Sequence, residues 1–118
     1  MKYSQPTPRT RAEIEADLNS SDAAVVASAL TSAALHDADR QYVESLIIKF
    51  LQHDDAWVRG VSAIAAGHVA RIHLALSTDR IVPLIEALLQ DPRTSGKAQD
   101  SLDDINMFLG GGNAVEGQ

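Results

Sequence analysis

The sequence predicts an all-α fold: a short right-handed α-solenoid of about three helical hairpins, six helices in all. Three observations carry this. Apolar residues recur at helical spacing, and no stretch sustains the period-two alternation of a strand. The composition is 45% hydrophobic but only 4% aromatic, so Ala, Leu, Ile and Val must do the packing. And the chain repeats itself. "LNSSDAAVV" from Leu18 aligns with "LQHDDAWVR" from Leu51 at an offset of 33, placing Asp22 on Asp55, Ala23 on Ala56 and Val25 on Val58. At an offset of 38, Leu46, Phe50, Leu51 and Gln52 fall on Leu84, Leu88, Leu89 and Gln90, and Arg59 and Ile64 fall on Lys97 and Leu102. Repeats of this length are helical hairpins that bury their apolar stripes against their neighbours.

The elements follow in order. Residues 1–9, with Pro6 and Pro8, read as an extended arm, 10–109 as the helical domain, and the Gly-rich 110–118 as a frayed tail. The first helix, Thr10 to Leu18, opens on "TRAE", a capping box. The second runs from Asp22 to Leu35. The third, Asp39 to Gln52, carries Val43, Leu46, Ile47, Phe50 and Leu51 on one face. The fourth, Asp55 to Ala75, has Val58, Val61, Ala65, Ile72 and Leu76 on one side; Gly67 marks a bend or a close approach. The fifth, Asp79 to Gln90, holds Pro83 in its first turns, where a missing donor costs little. The sixth, Thr94 to Leu109, is stopped by glycines.

An apolar first helix, a turn with Asp or Pro, then "VR" or a Lys equivalent early in the second helix: "LQHDDAWVRGVSAIAA" and "LLQDPRTSGKAQDSL" carry this pattern, and it resembles HEAT-repeat proteins over Thr10 to Leu109. The first unit departs from it, with Val26 where the Arg is expected, which fits a terminal capping unit. The resemblance implies a ladder of turn Asp and following Arg or Lys between units, drawn from Asp54 or Asp55, Arg59, Asp91 and Lys97, with a structural role.

The sequence offers little chemistry. Without cysteine there is no disulfide or thiolate. His68 and His73 are five apart and share no helix face, and no HExxH occurs, so no metal or other cofactor is expected. There is no GxSxG setting for a nucleophile, and "GGGN" closes a helix where a phosphate loop would open one. An enzyme is not expected. With no signal peptide and no apolar run near the roughly 18 residues of a membrane span, a cytoplasmic protein is expected.

The formal net charge of −6 is unevenly spread. Residues 1–12 hold Lys2, Arg9 and Arg11 with no acid; the seven basic and sixteen acidic residues that follow leave −9. An acidic body disfavours nucleic acid and suits a basic protein. Asp100 and Asp104 are i, i+4 neighbours on the last helix, with Asp103 beside them and Met107 extending the stripe; this is either a solvated face or a docking strip. Trp57, in "HDDAWVR" beside Asp54 and Asp55, aligns with the small residues Ala24 and Ser95 of the other units. It is either core packing or a partly exposed interface anchor. In a solenoid the second helices form the concave side, here offering Trp57, Arg71, Asp100, Asp103, Asp104 and Met107 as partner contacts.

The sequence therefore reads as a non-catalytic protein-binding module. In size, charge and HEAT-like pattern it resembles the immunity proteins of bacterial toxin systems, contact-dependent inhibition included. That resemblance implies one basic toxin domain as partner, blocked by steric occlusion, with no small-molecule substrate. The alternative is a general scaffold for protein assembly. Nucleic-acid binding, as in HEAT-like DNA glycosylases, would need a continuous basic surface, and Arg40, Lys49, Arg59, Arg71, Arg80, Arg93 and Lys97 are scattered.

Overall fold

The structure is a computed structural model and describes residues 9–110. The arm expected for residues 1–9 lies, apart from Arg9, outside the described residues, as does the tail beyond Gly110. Six α-helices follow one another: α1 (Arg11–Leu18), α2 (Ala23–His36), α3 (Arg40–Phe50), α4 (Ala56–His73), α5 (Thr78–Ala87) and α6 (Ser95–Ile105). A 3₁₀ turn, Leu88–Gln90, follows α5, and a π turn, Asn106–Gly110, follows α6. There is no strand among the described residues.

Local chemistry starts most of these helices. Thr10 and Glu13 form the expected capping box. Asp22, Asp39 and Asp55 cap α2, α3 and α4, accepting from the backbone N–H groups of Ala24, Tyr42 and Trp57. The fifth helix is different, because Ser77 makes no side-chain cap. Its N–H donates instead to Oε2 of Glu44 on α3, 3.0 Å away. Glu44 is only 4% exposed and is held by Arg40 Nη1 at 2.6 Å. A buried carboxylate thus ties the second unit to the start of the third. Glu44→Ala is expected to cost about 2 kcal/mol, since it strands the Ser77 donor and Arg40 together. Urea denaturation would show it as a lower midpoint at unchanged slope.

The second helices α2, α4 and α6 pack side by side with α4 in the middle, and the first helices α1, α3 and α5 flank them as the other layer. On α4 and α6 the register can be read directly. Gly60 faces Lys97, the Ala63 carbonyl accepts from Ser101 Oγ, and Gly67 faces Ser101 and Asp104. The pairs advance in the same direction, so the two helices are parallel. The Ala63–Ser101 separation is the offset of 38 seen in the sequence. A helix closed on both flanks must be slim, and α4 buries Gly60, Ser62, Ala63, Ala65, Ala66, Gly67 and Ala70 beside Val58 and Val69. The main core joins Ala63, Ala65, Ala66, Val69 and Ala70 to Val43, Ile47 and Leu51 and to Ile81, Ile85, Leu88, Ala98 and Ile105. Phe50 and Val58 pack with Val26 and Leu30 of the first unit.

The first unit, lacking the repeat arginine, buries Val26 and is pinned by polar contacts. Arg11 forks onto Asp37 and lies 3.8 Å over the Tyr42 ring. Tyr42 donates to Glu15 at 2.8 Å; burial, then that hydrogen bond, push its phenol up to about 12.

Several expectations need correction. The fourth helix stops at His73, so Leu76 is outside it; Ile72 is 42% exposed and Val61 is half-buried. The buried stripe runs through Val58, Ser62, Ala65 and Val69 instead, because alanines and glycines let backbone approach replace large side chains. A Cβ on Gly67 would meet the Asp104 side chain at 3.4 Å, an ordinary contact distance, so the close approach on this helix is at Gly60 and not at Gly67. Pro83 lies in the second turn of α5, deeper than expected. It is on the solvent side, where water can serve the carbonyl it leaves without a donor. The sixth helix ends at Ile105 and widens into the π turn before the glycines.

Candidate functional site

The candidate residues sort by their place on the second helices. On α4, Trp57, Val61, Ile64, His68 and Arg71 recur every three or four residues on the side left open by α2 and α6. On α6 the same side carries Lys97, Asp100 and Asp104, and Met107 follows, exposed, in the π turn.

Trp57 is 53% exposed, so it is not core packing. Its ring is covered by a cation, with Lys97 Nζ 4.2 Å from the centroid. Gly60 makes this possible: the Lys97 stem crosses α4 where a Cβ on Gly60 would come 2.8 Å from Lys97 Cδ. Lys97, expected as a ladder cation, therefore pairs with an indole. The signal in the sequence was Gly60 itself, a helix-weakening residue three positions after the one Trp.

A rung of the expected ladder does form. Arg59 reaches Asp91 of the next unit at 3.3 Å, and its other nitrogen donates to the carbonyls of His53 and Asp54. Asp91 is also gripped by Arg93 at 2.8 Å, and these hydrogen bonds hold its carboxyl down at about 2. Asp55 spends its carboxylate on capping α4, accepting from Trp57 and Val58. Asp54 is exposed at the same edge.

Further along, Asp104 lies against Gly67 and near the half-buried His68, whose Nδ1 is 3.4 Å from Arg71 Nη2. Burial, then the Arg71 charge, hold the imidazole below its ordinary range, and Asp104 opposes this in part. Asp103 points away from this seam and accepts from Gln99 at 2.9 Å. Asp100 and Asp104 have no hydrogen-bond or ion-pair partner among the described residues. Most other carboxylates there are engaged: Glu13, Asp22, Asp39 and Asp55 at caps, and Asp17, Asp37, Glu44 and Asp91 with arginines. The structure thus brings Trp57, Arg71, Asp100 and Asp104 onto one side, with Met107 just beyond in the π turn, and sets Asp54, Asp55 and Asp103 at its borders.

Two features escaped the sequence reading. Ile72 and Leu74 stand exposed at the end of α4. An open cleft of about 260 Å³ lies between the start of α5 and the end of α6, lined by Thr78, Val82, Leu102, Ile105, Asn106 and Leu109. Among the described residues no three acidic or histidine side chains are grouped to hold a metal ion, and no helix is long and apolar enough to cross a membrane.

The sequence matches no family model and no curated protein. By structure the chain is similar to a chain of a solved CDI complex from Cupriavidus taiwanensis LMG 19424. The TM-score is 0.75 at 25% identity, and the match covers 92% of this chain and 97% of that one.

Proposed function

We propose that this chain is an immunity protein: it binds the toxin domain of a contact-dependent inhibition system and neutralises it without catalysis of its own. The observation that carries this is the near end-to-end likeness to a chain of a CDI complex. The surface supports it. An exposed Trp and two carboxylates without intrachain partners lie on one side of a rigid helical layer, with an exposed Met just beyond, which suits protein binding. The acidic excess fits a basic toxin, whose approach it would steer. Neutralisation would be by occlusion, with Asp100 and Asp104 meeting the toxin's cations. The action of the protein then belongs where the toxin acts, in the cytoplasm.

The test is co-expression with the product of the adjacent upstream gene. A toxic neighbour, growth restored by this chain, and co-elution as a one-to-one complex are the expected result. A harmless or unbound neighbour sinks the reading.

A further inference from the structure

Among the described residues five large apolar side chains stand exposed, and four of them mark the C-terminal ends of the second helices. Leu35 is in the last turn of α2, Ile72 and Leu74 end α4, and Met107 lies in the π turn after α6. Because α4 and α6 run parallel and in register, their ends share one rim. The π turn packs back against α4.

Leu74 is unusual twice over. It is the one non-glycine with positive φ among the described residues (φ 52, ψ 34), and it is 66% exposed. Glycine at this helix-ending position would avoid the steric strain. A leucine there gains little burial in return. A side chain held in strain and left in water serves a contact outside the chain. The charge of the rim is divided: the last turn of α4 carries Arg71 and His73. The last turn of α6 has no basic residue, and it carries Asp103 and Asp104, with Asp100 one turn earlier, next to the partial negative charge of a helix C-terminus. That end complements a cation.

We propose that this rim is where the toxin is gripped, through a segment that sets a large apolar side chain beside a Lys or Arg. The apolar group packs on Leu74 and Met107; the cation meets the carboxylates of α6. The proposal rests on the toxin-binding reading above.

The probe is the inactivated toxin domain encoded by the adjacent gene, titrated calorimetrically against the full chain, Leu74→Gly, Leu74→Asn and Leu74→Gly/Met107→Ser. Gly and Asn both accept the left-handed conformation, so the melting temperature of the single variants should hold or rise by several degrees. Their dissociation constants should rise at least tenfold, and that of the double variant about a hundredfold. Lost binding in a chain of equal or greater stability cannot come from misfolding. Wild-type binding with all variants within threefold would remove the rim as the interface and leave the immunity reading standing. No binding by the wild type would overturn both. Two other occupants would also overturn the assignment. Loss of the Leu74 effect in a chain ending at Gly110 would give the rim to the chain's own tail. Self-association abolished by Leu74→Gly would give it to a second copy.

Discussion

On the proposed immunity function, replacing Asp100 and Asp104 together by lysine is expected to raise the dissociation constant for the toxin about a thousandfold and to abolish growth protection. The melting temperature should move by no more than about 3 °C. Both side chains are exposed and neither is bonded within the described chain, so their removal strands nothing. Lysines in the C-terminal half of α6 meet the negative end of the helix, a gain of a few tenths of a kcal/mol. The lysine that replaces Asp104 sits beside His68 and Arg71 and costs a comparable amount by repulsion. These changes nearly cancel, and roughly half a kcal/mol either way is about 3 °C in a domain of this size. Binding has no such cancellation. With the basic toxin proposed above, two attractions become two like-charge contacts, about 4 kcal/mol in all, and each 1.4 kcal/mol is tenfold. Titration at rising ionic strength should narrow the gap, because partly exposed charges are screened. Binding unchanged by the double substitution would make the acidic stripe a solvated face.

The repeat was the most legible feature of this chain. The offset of 38 reappears as the spacing between Ala63 and Ser101, two residues in contact across parallel helices. The starts of the second, third and fourth helices were legible to within a residue: the Asp placed first in each, at 22, 39 and 55, is the cap just before it. The burial pattern of α4 was not readable. A stripe search expects large residues, and this helix is packed by what it lacks, so Ile72 was placed inside and Ser62 and Ala66 were passed over. Pairings that cross units through backbone atoms were also hidden. Nothing in the sequence marks Glu44, because its partner is the N–H of Ser77, thirty-three residues on. Leu74 was invisible on other grounds, since glycine or asparagine announces a left-handed cap and leucine does not. The candidate surface was legible in part. Trp57, Arg71, Asp100 and Asp104 followed from helix periodicity, whereas the Trp57–Lys97 contact depends on where two helices touch.

Ala66→Leu is expected to cost about 3 kcal/mol and to lower the melting temperature by about 15 °C. Ala66 is fully buried at the middle of α4, in one cluster with Ile47, Ile81 and Ile85. Overpacked sites usually relax by sliding an element toward a free side, which holds the cost near 1 kcal/mol. Here both flanks of α4 are closed, by α2 on one and α6 on the other, so the helix can only lift toward its open side, which parts it from the layer below. Three added carbons must therefore strain rotamers in the layer below or part the stack, and the upper end of the overpacking range applies. Against the roughly 5–15 kcal/mol total of a small domain, that is a large share. Ala24→Leu is the control, at the exposed α2 position that repeats Trp57, and should stay within about 0.5 kcal/mol. The two variants add the same atoms to helices of the same layer, so their difference isolates confinement from composition. If Ala66→Leu melted within a few degrees of the control, α4 would have room to move, and the rigid face it gives Trp57 and Arg71 would have to be given up with it.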